Sequence, residues 1–228
     1  MSAAEILREM YERLLAHFGP QHWWPGETPF EVMVGAVLTQ NTNWTNVARA
    51  IDNLRREGLL APKALLAVPF DRLSQLIRPA GYFRVKARRL LNLLEWLDRE
   101  FACDLDAAFA TPADELRRRL LGVSGIGAET CDSILLYAGR VPTFVVDAYT
   151  CRVIVRHGLI LAEEVTYDAV KALFEESLDR DAALFNEYHA LLVAVGKTHC
   201  RPRPHCLAGC PLEPLLAPDA EVRGEATP

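Results

Sequence analysis

The stretch that decides the fold runs Leu120-Leu121-Gly122-Val123-Ser124-Gly125-Ile126-Gly127-Ala128-Glu129-Thr130. Apolar residues at helical spacing flank its glycines, which predicts a tight turn between two amphipathic helices. In such a turn, backbone N–H groups at the start of the second helix can face a phosphate, and glycine lets that phosphate approach closely. Gly125, Gly127 and Ala128 are therefore candidate phosphate-binding positions. A plain helix C-cap would explain the glycines equally well if the turn stood alone.

Apolar residues recur at helical spacing along almost the whole chain, which predicts an all-α fold of about ten helices. One β-branched run, residues 143–146, is too short and isolated to form a sheet. Asp147 directly follows that run and is a good N-cap for the next helix. We expect two lobes: a helical domain over residues 20–137, and a second domain that joins residues 1–19 to residues 138–228.

Composition describes a water-soluble globular protein, with 228 residues of which 50% are hydrophobic and 24% charged. No apolar run approaches the roughly 18 residues that a membrane span needs, and the N-terminus is unlike a signal peptide, so we expect a cytoplasmic protein without membrane contact. The net charge of −5 argues mildly against a nucleic-acid partner. Basic clusters that could still form a local binding face are Lys86, Arg88 and Arg89; Arg117, Arg118 and Arg119; Arg152, Arg156 and His157; and Lys197, His199, Arg201, Arg203 and His205.

The segment from Leu120 to Arg156 resembles the helix-hairpin-helix, Gly/Pro-rich loop and aspartate arrangement of the endonuclease III superfamily of DNA glycosylases. The resemblance implies that Asp147 is the catalytic aspartate. It also places Glu129 where the members that act as both glycosylase and lyase carry a lysine. Because a carboxylate cannot form a Schiff base with the sugar, we expect base release without strand cleavage. Read without the resemblance, Asp147 would only cap its helix.

Four further motifs precede the hairpin: Trp23-Trp24-Pro25, Phe30-Glu31, the stretch from Gly35 to Trp44, and the stretch from Ile77 to Tyr82. In order and spacing they resemble the bacterial 3-methyladenine DNA glycosylases of the same superfamily. In those relatives an aromatic at the position of Trp44 and a tryptophan of the Trp-Trp-Pro segment sandwich the extruded base. Trp23, Trp24 and Trp44 are therefore candidate base-pocket residues. One departure is Ala148, where the relative has a lysine, so the base preference can differ.

An alkylated purine suits such a pocket. The base is cationic and electron-poor, so stacking on indole rings adds cation–π attraction to dispersion. Its charge already makes it a good leaving group, which leaves the enzyme to extrude the base and to stabilise the positive charge that develops on the sugar. Asp147 would stabilise that charge and orient the attacking water. Core packing is the alternative role of the tryptophans.

Gln40 resembles the superfamily's wedge residue, which enters the hole left by the extruded nucleotide and can hydrogen-bond the orphaned partner base. A polar wedge suits a site that exposes donors and acceptors. Asn41 is a second candidate for contact with DNA, although it could equally order its loop through bonds to the backbone.

Three cysteines crowd together near the C-terminus, with five residues between Cys200 and Cys206 and three between Cys206 and Cys210. Such crowding predicts a metal site. In the superfamily, four cysteines with gaps of six, two and five hold a four-iron four-sulfur cluster. The fourth position falls here on Leu216, which cannot ligate a metal. Other candidates for the fourth ligand are His199, His205, Glu213 and Asp219. Zinc, or a loop without metal, is the alternative.

The sequence thus predicts a monomeric base excision repair glycosylase that acts on double-stranded DNA containing a damaged base, and specifically a monofunctional enzyme for alkylated purines. One alternative is an endonuclease III-type glycosylase and lyase for oxidised pyrimidines, against which Glu129 stands. The other is a non-enzymatic binder of damaged DNA, against which the retained Asp147 stands.

Overall fold

The computed structural model describes residues 1–202 and 209–216, and within them every regular element is helical. The twelve α-helices are α1 Ala3–Phe18, α2 Pro29–Leu38, α3 Trp44–Arg56, α4 Pro62–Leu66, α5 Phe70–Leu76, α6 Phe83–Phe101, α7 Leu105–Phe109, α8 Ala113–Leu121, α9 Ala128–Ser133, α10 Ala148–Arg156, α11 Tyr167–Ser177 and α12 Ala182–Thr198. A π-helical segment spans Ile134–Ala138, and 3-10 turns lie at Arg78–Ala80, Ala162–Glu164 and Glu213–Leu215. The all-α prediction is confirmed. No helix in these ranges is long and apolar enough to cross a membrane.

Polar side chains start many of these helices where the sequence places a good N-cap. At α1 the cap is a reciprocal box, in which Ser2 Oγ accepts from the backbone N–H of Glu5 and the Glu5 carboxylate accepts from the N–H of Ser2. The other side-chain caps are Thr28, Asn43, Asp104, Asp147, Thr166 and Asp181. Each such cap stabilises its helix by about 1 kcal/mol. The helix starts are therefore encoded locally.

The chain divides into two compact units, one comprising Trp24–Val141 and the other comprising Met1–Trp23 with Pro142–Pro228. In the first unit, α2 is the central helix, and every residue from Phe30 to Leu38 is buried. The helices α3 and α6 and the π-helical segment pack against it. Because α2 is fixed on all sides, the loop that follows it has a rigid base.

The second unit packs α12 against α1 and α10. Its core includes Phe144 stacked on Phe174, with ring centroids 3.8 Å apart, and Tyr188, whose hydroxyl donates to the Leu7 carbonyl at 2.8 Å. Gly196 lets α12 approach α10 closely, since a Cβ added there would lie 2.7 Å from the Cβ of Tyr149. This packing fixes the start of α10.

Candidate active site

The predicted hairpin is formed by α8, a turn over residues 122–127, and α9. Gly125 is required in the turn for two reasons. Its φ is +94°, which side chains rarely adopt, and an added Cβ would lie 3.0 Å from Arg89 Cδ and closer still to Cγ. Gly127 has room for a Cβ and an extended backbone, so geometry does not require glycine there. As the N-cap of α9, however, it brings no side chain to cover the first N–H groups of the helix.

An ion pair with a buried carboxylate joins the two helices of the hairpin. Arg117 Nε and Nη2 donate to the two carboxylate oxygens of Asp132 at 2.8 and 3.1 Å, and the Asp132 side chain is wholly buried. Such a two-point pair has a defined geometry. The pair joins α8 to α9. Glu129 lies on the exposed side of the first turn of α9, where a carboxylate interacts favourably with the helix dipole.

The side chain of Gln40 ties the end of α2 to the hairpin. Its amide nitrogen donates to Thr130 Oγ1 at 2.8 Å and to the Gly125 carbonyl at 3.2 Å, and its amide oxygen accepts from the Arg89 guanidinium. Both ends of the Gln40 amide are thus engaged inside the protein. Asn41, by contrast, is exposed and has a φ of +52°.

Lys86 connects the bases of two loops. Its side chain is buried, and its ammonium donates to the Leu38 carbonyl at 2.9 Å and to the Ala80 carbonyl at 2.7 Å. Burial, with a smaller effect from the charge of Arg89, lowers the pKa of this ammonium. The loop after Leu38 carries Asn41. The loop after Ala80 carries Tyr82.

The sequence predicted no role for Tyr82, although it lies in one of the motifs that carry the resemblance. Its side chain is 74% exposed, and its φ of +42° lies in the left-handed region. A residue other than glycine in this region carries backbone strain, and such strain clusters at functional sites. The sequence did carry a signal for Tyr82, because an aromatic residue directly follows Gly81 in a predicted loop, where burial in the core does not explain it.

Three aromatic side chains meet in the unit of residues 24–141. Trp24 lies edge-on to Trp44, with ring centroids 5.3 Å apart and planes at 86°, and tilted against Tyr137 at 5.1 Å and 36°. Trp24 also covers Gly35, where an added Cβ would lie 3.1 Å from the indole nitrogen. The two predicted tryptophans are therefore neighbours, but their rings are perpendicular rather than parallel. Trp23, the last residue of the other unit's first segment, is half-buried.

Tyr137 is an aromatic that sequence reasoning assigned only to a helix. It lies in the π-helical segment that continues α9. Such segments are rare and occur often at functional sites, because the wider turn redirects a side chain. The sequence carried no signal for it, since the apolar spacing of residues 134–138 fits an ordinary α-helix.

The two carboxylate oxygens of Asp147 have different surroundings. Oδ1 accepts from the backbone N–H of Thr150 at 2.8 Å and from its hydroxyl at 2.9 Å, which caps α10. Oδ2 lies 3.7 Å from Nε2 of His189, and the Asp147 side chain remains 13% exposed. Burial lowers the pKa of His189, and the Asp147 charge only partly opposes this, so the imidazole is neutral near pH 7. The Asp147 carboxylate therefore lies beside an uncharged ring.

An ion pair on α11 holds the chain that leads into Asp147. Glu175 Oε1 accepts from the Phe144 N–H at 2.8 Å and from the Thr143 hydroxyl at 3.1 Å. Lys171 lies 2.8 Å from the same carboxylate oxygen, and its ammonium also donates to Thr143 Oγ1 and to the Phe144 carbonyl. The extended segment before Asp147 is thereby fixed by side chains about thirty residues further along the chain.

Two of the three clustered cysteines, Cys200 and Cys210, are buried, and Cys206 lies outside the described residues. Arg156 Nη1 donates to Cys200 Sγ at 3.0 Å. His199 contacts His17, with ring centroids 5.3 Å apart. Across residues 1–202 and 209–216, no group of three His, Cys, Asp or Glu side chains is placed to hold a metal. The candidate ligands His205 and Asp219 also lie outside these ranges.

Comparison with known proteins identifies the family. The family model for HhH-GPD superfamily base excision DNA repair proteins matches residues 34–180. The chain belongs to this superfamily. A Methanocaldococcus jannaschii protein named as a DNA repair glycosylase is 46% identical over 211 residues, which cover 92% of this chain and 94% of the relative. Endonuclease III of Bacillus subtilis is 27% identical over 184 residues, which cover 81% and 78% of the two chains.

Solved structures give the same result. The H. pylori 3-methyladenine DNA glycosylase bound to 1,N6-ethenoadenine superposes with a TM-score of 0.71 at 28% identity, covering 86% of this chain and 98% of that chain. An endonuclease III–DNA covalent intermediate reaches a TM-score of 0.79 at 24% identity, covering 95% and 96%, which supports the fold alone. This HhH-GPD protein is a base excision repair DNA glycosylase. The resemblance read from the sequence is confirmed.

The Lys86 bridge yields a testable expectation for this glycosylase. Replacing Lys86 with Met keeps most of the volume but removes both hydrogen bonds, so the loops that carry Asn41 and Tyr82 should lose their common support. We expect K86M to slow single-turnover base release by about tenfold or more, because base extrusion depends on well-placed loops, while affinity for undamaged duplex changes by less than about threefold.

Two further variants control this experiment. K63M removes an exposed lysine of the same unit and should behave as the wild type, whereas K86R retains a donor and should recover part of the rate. If K86M lost duplex affinity and base release to the same degree, or lost neither, Lys86 would not position the loops.

Proposed function

We propose that this glycosylase is monofunctional: a monomer that hydrolyses alkylated purines from double-stranded DNA and leaves the strand intact. Glu129 carries this proposal. It occupies the position on the hairpin where the sequence resemblance places the lysine of the lyases, and a carboxylate supplies no amine to attack the sugar. The likeness to the H. pylori 3-methyladenine DNA glycosylase bound to 1,N6-ethenoadenine supports a purine substrate.

The aromatic cluster supports a cationic base. Trp24, Trp44 and Tyr137 present electron-rich rings within one unit. An alkylated purine that stacks on one of these rings gains cation–π attraction, while a neutral, correctly paired purine does not. Because Trp24 and Trp44 are perpendicular, a flat base cannot stack on both rings, and we assign the stacking to Trp44. Trp23 belongs to the other unit, so it is left out of this assignment.

Asp147 is the proposed catalytic residue. Its Oδ1 is engaged in capping α10, which leaves Oδ2 to stabilise the positive sugar and to orient water. Since the neighbouring His189 is neutral, no positive charge on that ring offsets the effect of the carboxylate on the sugar. Electrostatic stabilisation of this kind acts mainly in the transition state, where the charge on the sugar develops.

DNA contacts are proposed at two places. The backbone N–H groups of Gly125, Gly127 and Ala128 would bind a phosphate, because no side chain of the N-cap covers them. The wedge is better assigned to Asn41 than to Gln40. Gln40 would have to break its bonds to the hairpin before it could enter the duplex, whereas Asn41 is already exposed.

The cysteine loop fits the superfamily's iron–sulfur cluster only in part. Buried Cys200, with a guanidinium donating to its sulfur, and buried Cys210 suit thiolate ligands. Leu216 does not, so the four-cysteine set implied by the resemblance is incomplete. We propose that Cys200, Cys206 and Cys210 hold a structural metal with a ligand other than cysteine, and we derive no step of the reaction from it. Iron and zinc contents of the purified protein decide between a cluster and zinc, and a protein with neither would refute the site.

For Asp147 we expect that D147N abolishes base release from methylated duplex, with a loss of about a thousandfold or more in the single-turnover rate. The amide can still accept the capping bonds from Thr150, so duplex affinity should stay within about threefold of wild type. The control D181N changes the cap of α12 in the same unit and should leave the rate unchanged. Parallel losses of rate and affinity would show that Asp147 is structural.

For Glu129 we expect that substitution by lysine introduces lyase activity. The wild type should give no borohydride-trapped adduct with damaged duplex, since no amine stands at this position of the hairpin. E129K supplies one, so it should form a trapped covalent adduct and cut the strand at least weakly. E129Q, the control, should trap nothing. Efficient trapping by the wild type would mean that another amine attacks the sugar, and the monofunctional proposal would be wrong.

A further inference from the structure

One face of α6 forms an open groove of about 530 Å³ beside the hairpin turn. The groove is lined by Arg84, Val85, Arg88, Arg89, Asn92, Ser124 and Gly125. Three of these seven residues are arginines and none is acidic, although the protein as a whole carries a net charge of −5. Such a concentration of cations in an acidic protein needs a physical reason.

Phe70 at the start of α5 organises two of the cations. The guanidinium carbons of Arg84 and Arg88 each lie 4.8 Å from the centroid of its ring. Stacking on an aromatic ring orders a guanidinium and leaves its N–H edge available for an anion. Holding two like charges beside one ring costs energy in the isolated protein, and a bound anion would offset that cost. Arg84 is partly neutralised by Asp71 at 3.0 Å, which is itself 82% exposed.

The groove is continuous with the hairpin turn. Asn92 Nδ2 donates to the Ser124 carbonyl at 2.9 Å, and the Arg89 side chain lies directly against Gly125. These contacts hold α6 and the turn at a fixed spacing. A strand of DNA whose phosphate reached the turn would therefore pass close to Arg88.

We propose that this groove binds the sugar–phosphate backbone of duplex DNA as a second contact beside the hairpin. Arginine donates to phosphate at two points without reading sequence, and exposed Val85 gives the groove an apolar part suited to deoxyribose. The contact anchors the duplex while the base is extruded. It rests on the assignment as a DNA glycosylase, and is independent of the substrate and of the lack of lyase chemistry.

The test uses the affinity of the full-length protein for an undamaged duplex, measured by fluorescence anisotropy over a range of salt concentrations. R88Q should bind about three- to tenfold more weakly at low salt, and the slope of log K against log salt should shrink by about one, because one phosphate contact is lost. D71N should do the opposite and strengthen binding, since it releases Arg84 from its ion pair. The matched control is R99Q, which removes the same charge from a 67% exposed position of the same helix.

Weaker DNA binding by R88Q than by R99Q, together with tighter binding by D71N, would establish the groove. Equal affinities and slopes for R88Q, R99Q and the wild type would overturn the proposal. It would also be overturned if R88Q bound DNA as tightly as the wild type but lost binding to anionic vesicles or to an acidic peptide. Thermal unfolding of each variant excludes misfolding. Because the duplex is undamaged, a failure here is separate from a failure of base release, which is scored on methylated DNA.

Discussion

The close contact between Gly125 and the side chain of Arg89 is the constraint on which the functional face of the unit of residues 24–141 depends. Only glycine permits both the backbone angle and this approach. Around that point Gln40 joins the end of α2 to the turn, and Asn92 joins α6 to it. The hairpin turn proposed to bind phosphate, the loop that carries Asn41 and the basic groove are therefore parts of one rigid arrangement.

In the other unit, the proposed catalytic carboxylate is positioned by several neighbouring side chains. Asp147 gains its geometry from its cap on α10 and from the Lys171–Glu175 pair that holds the preceding segment. His189 is buried beside it and stays neutral. A protonated histidine there would weaken the field that the positive sugar needs, so burial of the imidazole serves the proposed chemistry.

Local patterns account for what could be predicted from the sequence. Helical periodicity gave the all-α class, and the glycine spacing gave the hairpin, because both depend on neighbours within a few residues. The roles of Gln40 and Lys86 could not be predicted in this way. Gln40 bonds to residues 85 and 90 positions away, and Lys86 to one 48 positions away, so only the folded chain brings them together. Tyr137 was missed because a π-helical turn leaves no distinct apolar spacing.

The central claim is that this enzyme removes a cationic purine and stops at the abasic site. Product analysis on two duplexes tests it most directly: one treated with a methylating agent, and one that contains a single oxidised pyrimidine. We predict release of free methylated purine from the first, strand breaks only after alkali, and no release from the second. Release of the oxidised pyrimidine with strand breaks before alkali would contradict the claim and favour a glycosylase with lyase activity.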